Sequence, residues 1–174
     1  MSAIAEKLTA SEFRVRFSTR KPNYELLSGE AVQKPLPTKL HSILQFVLAV
    51  ILKELGFKAR PELTLAIDDS WEPTPDVSGI LGAEEGPYPT SATAVAIEVL
   101  SPDDRYTRVV QKCRKYAEWG IKDILIFDPV ERAAWRWDHA SSSIWPISDS
   151  YNFCSLPAKL NLQQLWQRMQ DELQ

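Results

Sequence analysis

An acid placed inside a buried strand constrains this chain more than any other feature. The run "AVAIEVLS" is apolar almost without a break, with Glu98 in the middle of it. A continuous apolar run of this length marks a central strand covered on both faces. The segment after it, "DDRYTRVVQKCRKYAEWG", has helical spacing and stops at Gly120. A second buried run, "DILIFDP", follows and closes at Pro129. Strand 94–101, helix 106–119 and strand 123–127 therefore form a βαβ unit. Its strands are expected to be parallel and its crossover right-handed.

The remaining segments build outward from that unit. In "TASEF", Thr9 stands three residues before Glu12, the pattern of a capping box that opens a short helix. "NYELLSGEAVQKP" reads as a hairpin turning at Ser28-Gly29. Leu40, Ile43, Leu44, Val47, Leu48, Ile51, Leu52 and Leu55 hold helical spacing, with Thr38 to cap the start and Gly56 to end it. "ELTLAIDDS" and "TPDVSGIL" read as strands, "AAWRWDH" as an edge strand, and "SIWPI" fits neither pattern clearly. The last segment, "NLQQLWQRMQDELQ", is a helix with Leu162, Leu165, Trp166 and Met169 on one face. Strands before the crossover come without helices between them. The class is α/β, with a mixed sheet flanked by helices.

A chain of 174 residues without repeats or low-complexity stretches is expected to form one domain over 1–174. The net charge of −3 offers no global basic field, so a polyanion would need a local patch. Cys113 and Cys154 match no zinc spacing and read as incidental thiols. "MSAIAEKLTASEF" lacks the apolar core of a signal peptide, and the longest uncharged stretch, 40–52, is too short to cross a bilayer. A cytoplasmic protein with no membrane partner is expected.

Chemistry enters with the second acid. Asp76 follows Pro75 in "EPTPDVSGI", which favours extended backbone. Taken alone, Pro-Asp marks a turn, and Glu98 could be a strand-end acid salt-bridged to Arg105 or Lys112. Together, two acids on neighbouring strands can hold one hard divalent cation and leave positions for water and phosphate. The chain carries Leu100 two residues beyond Glu98, where such cores often carry a lysine. Lys112 on the crossover helix can supply that cation. Arg105, Arg108, Lys112 and Lys115 fall along one side of the helix, either as a phosphate-facing stripe or as a solvated face. Val109, Val110, Cys113 and Ala117 fall on another side, toward the sheet. Glu30 is a further acid, either at the site or in an exposed turn. His41 lies at the margin of the apolar helix, where packing is the ordinary role.

These residues resemble the PD-(D/E)XK nuclease superfamily and, more closely, the Uma-two family of restriction-endonuclease-like proteins. The similarity runs from Thr9 to Asp138 through "YELLSGE", the helix from His41, "PTPDV", "IEVLSPDDR" and "KCRKYAEWGIKDILIFDP". It implies a restriction-endonuclease-like core and a divalent metal, Mg²⁺ or Mn²⁺. Asp76 and Glu98 match the metal-binding acids, and the Val99 carbonyl would be a third ligand. Lys112 matches a lysine moved to the crossover helix. Glu30 and His41 match an upstream acid and histidine. Leu100 departs from the superfamily pattern but agrees with this family's version. The expected activity is metal-dependent hydrolysis of DNA phosphodiesters, with Asp76, Glu98, Lys112 and Glu30 catalytic. A nucleic-acid-binding or assembly module without turnover is the alternative on the same fold. Double-strand cleavage would need two such sites, which would make a homodimer, with the final helix and Ala134–Trp137 as candidate contacts.

Overall fold

The computed structural model describes residues 7–84 and 86–174. Residues 1–6, part of the segment read for a signal peptide, lie outside them, as does residue 85 of the loop after Gly82. The chain runs α1 (Ala10–Phe17), β1 (Tyr24–Leu27), β2 (Glu30–Gln33), α2 (Lys39–Glu54), β3 (Lys58–Pro61), β4 (Val77–Ile80), β5 (Val95–Val99), α3 (Tyr106–Trp119), β6 (Asp123–Asp128), β7 (Ala133–Asp138), β8 (Ser143–Pro146), β9 (Ser150–Asn152), β10 (Lys159–Asn161) and α4 (Leu162–Asp171).

Six strands form a mixed sheet in the order β3-β4-β5-β6-β7-β8. β5 and β6 are its parallel pair, with Val95 beside Asp123 and Val99 beside Phe127. The other neighbours are antiparallel. The βαβ unit is thus present where the sequence places it.

Side chains alternate across a strand, and this alternation decides where Glu98 goes. Val95, Ile97 and Val99 of β5 pack with Leu44, Leu48 and Leu52 of α2 and Leu165 and Met169 of α4. Ala96 faces the opposite way and packs with Val109, Cys113 and Tyr116 of α3. Glu98 shares the parity of Ala96 and so stands on the α3 face. The two apolar layers hold the sheet from both sides.

Local signals set the helix ends. Thr9 and Glu12 form a reciprocal capping box. The Thr38 hydroxyl accepts from the His41 N–H. Gly120 ends α3 at φ 107°, a left-handed conformation that suits glycine. Ser28 and Gly29 turn the β1–β2 hairpin with φ values of 54° and 80°, as the two-residue primed turn requires.

Two expectations are corrected, and one strand stands where no strand was expected. Segment 62–70 is not a strand: Leu65 is buried, but its N–H reaches the Pro73 carbonyl and Ala66 reaches Pro89. Its alternation reflects a loop pinned over α3. The actual edge strand is β3, whose "KARP" is short and charged and gives no apolar signal. At the other end β7 is not the edge, because β8 pairs outside it.

Candidate metal and phosphate site

The site forms where β4, β5, α2, α3 and the β1–β2 hairpin converge. β4 pairs with β5 so that Val77 stands opposite Ile97. One step further along the same register sets Asp76 across from Glu98, on the α3 face. The Val99 N–H donates to Asp76 Oδ2 at 2.7 Å, fixing the carboxylate against the strand end.

Lys112 reaches this place from α3. It is not part of an open basic stripe. It shares the buried side of the helix with Val109, Cys113 and Tyr116, at 4% exposure. Its ammonium donates to Glu98 Oε2 at 2.7 Å and to Glu25 Oε1 at 2.9 Å. Tyr116, one turn later, donates its hydroxyl to Glu98 Oε1 at 2.7 Å. Positions i and i+4 share a helix face, so Lys112 and Tyr116 grip both oxygens of one carboxylate. Lys115 turns away and pairs with Asp68 at 2.5 Å, leaning over Trp71. Arg108 lines the same cleft as the acids.

The acid that the hairpin brings to the cleft is Glu25; Glu30 lies outside it. Glu30 is exposed at the start of β2, beyond the hairpin turn. Glu25 is buried in β1 and accepts the Thr74 N–H at 2.6 Å as well as Lys112. A charged residue inside the apolar run "YELL" is the same signal that singled out Glu98, so Glu25 was readable from the sequence by that criterion.

His41 is buried, as a packed histidine would be, and also faces the site. Its Nδ1 lies 3.2 Å from the Ser101 hydroxyl and its Nε2 3.4 Å from Asp76 Oδ1. Three further residues, Lys34, Gln45 and Glu62, carried no sequence signal. Lys34, just past β2, contacts Glu62 Oε2 at 2.9 Å and Asp76 Oδ1 at 3.2 Å. Gln45 donates to Glu62 Oε1 at 2.9 Å and to the Asp76 carbonyl at 2.8 Å. Ligand atoms of His41, Glu62 and Asp76 fall within 4.8 Å of one another.

Four carboxylates (Glu25, Glu62, Asp76 and Glu98) thus meet two ammonium groups, Lys34 and Lys112. The surplus negative charge and the carboxylate oxygens suit a hard divalent cation. Burial dominates the protonation of Glu98 and pushes it up to about 7, against the pull of Lys112. Asp76 is also buried, but the His41 contact and the Lys34 charge outweigh burial and hold it well below the usual carboxylate range. Lys112 moves further up despite burial, because Glu25 and Glu98 flank it. It is a fixed positive charge. The acids and lysines line a cleft of about 370 Å³.

Residues 10–148 match the family model Uma2, described as "Putative restriction endonuclease". The chain belongs to the Uma2 family. Its fold is shared by a crystal structure from Anabaena variabilis described as a "putative nuclease belonging to DUF820". The TM-score is 0.79 at 22% identity, covering 93% of this chain and 99% of that one. Comparison with curated proteins returns no match. Family and fold are therefore nuclease-like, and the restriction-endonuclease-like architecture expected from the sequence is present. No helix among the described residues is long and apolar enough to cross a membrane.

Proposed function

We propose that this Uma2 protein is a divalent-metal-dependent nuclease that hydrolyses phosphodiester bonds in DNA. The observation that carries the reading is the Glu25–Lys112–Glu98 bridge beside Asp76. It sets a buried ammonium against the acid of the strand, and this supports Lys112 in the role of a lysine two residues after Glu98. Leu100 then leaves no gap in the chemistry.

Asp76 and Glu98 would hold Mg²⁺ or Mn²⁺, with the Val99 carbonyl as third ligand. Bound there, the ion supplies Lewis acidity to the scissile phosphate and lowers the pKa of its water. The chain's own groups do the rest. Lys112 stays protonated, so it takes no proton from the attacking water. It donates hydrogen bonds and steadies the negative charge that develops on phosphorus oxygens. Tyr116 and Glu25 fix where Glu98 and Lys112 point, so little reorganisation remains at the moment of reaction. Arg108, on the cleft wall, can meet an adjacent phosphate. Cleavage of both strands of a duplex would take two copies of the site, and hence a homodimer.

Cleavage of plasmid and single-stranded DNA is the test, with Mn²⁺ or Mg²⁺ against chelator. Wild-type protein is expected to cut only with metal, and Glu98→Ala to lose the activity. Equal cleavage by both proteins would place the activity elsewhere. Manganese binding without cleavage of any DNA would favour a binding module.

A further inference from the structure

We infer that the Lys34 ammonium is a resident cation occupying a second cation position beside Asp76, so that the site takes one divalent ion, not two. The inference rests on the proposed metal site and concerns the other side of the same carboxylate.

The two oxygens of Asp76 have different surroundings. Oδ2 accepts the Val99 N–H, on the strand that carries Glu98. Oδ1 faces Lys34 and His41. On that second side the Lys34 ammonium meets three oxygens: Glu62 Oε2 at 2.9 Å, the Thr74 carbonyl at 3.0 Å and Asp76 Oδ1 at 3.2 Å. Three acceptors satisfy the three hydrogens of an ammonium group. The lysine side chain is 13% exposed, and its own N–H is tied to the Asn23 carbonyl at 2.8 Å. This is a built position for a cation.

The donors around it are those a metal would use. Asp76, Glu62 and His41 present ligand atoms within 4.8 Å of one another, with a backbone carbonyl alongside. Gln45 holds Glu62 in place from the opposite side. In two-metal phosphodiesterases the ions sit about 3.5–4 Å apart, a spacing that one shared carboxylate can bridge. Here the second position is filled by an ammonium tethered to the chain and held by three oxygens. Magnesium sheds its water shell reluctantly, so it has little means of displacing an ammonium already matched to three oxygens. Lys34 is a positioning residue: it supplies fixed positive charge and orients Asp76 toward the metal.

Metal stoichiometry of the full chain, read by Mn²⁺ titration calorimetry, tests this. Wild type is expected to bind one ion. Lys34→Ala is expected to bind two, because Glu62, Asp76 and His41 are released as ligands, and Lys34→Gln serves as a second variant if the first fails to fold. Lys34→Ala combined with Glu62→Gln should return to one. Glu62→Gln alone should keep the single ion, whereas Glu98→Gln should weaken it at least tenfold. Two ions in wild type, or one in both Lys34 variants, would overturn the inference while leaving the Asp76/Glu98 site standing. A single ion lost with Glu62→Gln but kept with Glu98→Gln would overturn it too, placing the metal where Lys34 sits. No ion in any protein would remove the metal reading and this inference with it.

Discussion

Replacing Lys112 by methionine isolates the contribution of its charge, because the apolar stem that packs within α3 is retained. The change leaves Glu25 and Glu98 facing each other without a counter-ion, with side-chain exposures of 5% and 10%. Removing one partner from a buried ion pair costs about 3–5 kcal/mol. At roughly 2–4 °C per kcal/mol for a chain of this size, the metal-free melting temperature should fall by about 6–20 °C. Bound Mn²⁺ supplies charge of the missing sign, so it should stabilise the variant more than wild type. An ion at a hundred times its Kd adds about 2.7 kcal/mol. Cleavage at saturating metal should fall by about 10²–10³, the usual effect of deleting one preorganised donor. The assay is paired: differential scanning calorimetry with and without Mn²⁺, and plasmid cleavage on the same preparations. A melting temperature within about 2 °C of wild type would mean that Lys112 does not lie between the two acids in solution. A large loss of stability with unchanged cleavage would make Lys112 structural only.

Glu25→Gln should reduce cleavage at least tenfold and lower stability, whereas Glu30→Gln, on the exposed side of the hairpin turn, should leave both unchanged; equal effects would disprove the assignment of Glu25. Metal affinity should fall about tenfold per pH unit below 7, since Glu98, raised to about 7, must lose its proton to bind the ion; calorimetry from pH 5.5 to 8 reads this directly. In metal-free protein the same group contributes stability that is full below about 4.5 and lost as pH rises through about 7. Asp76, held low, works the other way: its contribution is present above the ordinary carboxylate value and lost as pH falls beneath it. Urea midpoints across that range, with and without Mn²⁺, should separate the two acids. Asp123→Asn should cost about 2–4 kcal/mol in urea unfolding with cleavage retained in the folded fraction, because this buried acid accepts from Tyr151, Ser155 and the Cys154 N–H, away from the cleft.

Much of this arrangement was legible in the sequence. The βαβ unit followed from two continuous apolar runs around a helical segment, since strands buried on both faces leave that signature. Glu98 stood out as a charge in such a run. Lys112 was legible as a candidate, but its burial was not: on a helical wheel it borders the apolar side, and only the acids across from it draw it inward. Glu25 was legible by the same criterion, as a charge in the apolar run "YELL", whereas Gly29-Glu30 signals only the turn. Lys34, Glu62 and Gln45 carried no sequence signal. They lie at the ends of short strands or on a helix margin, and meet only because β3 and β4 pair antiparallel beside the hairpin. The "KARP" strand is silent in the sequence for a related reason. An edge strand with charged residues has no buried face to impose alternation.

In the proposed site Asp76 and Glu98 bind one divalent ion within reach of Lys112. Anomalous scattering from a crystal soaked in Mn²⁺ tests it most directly. The expected result is a single peak between Asp76 and Glu98, with the Lys112 ammonium still bonded to Glu25 or Glu98 and Lys34 still seated on Glu62. A peak held by His41 and Glu62 with Lys34 displaced, or no peak at saturating Mn²⁺, would contradict it.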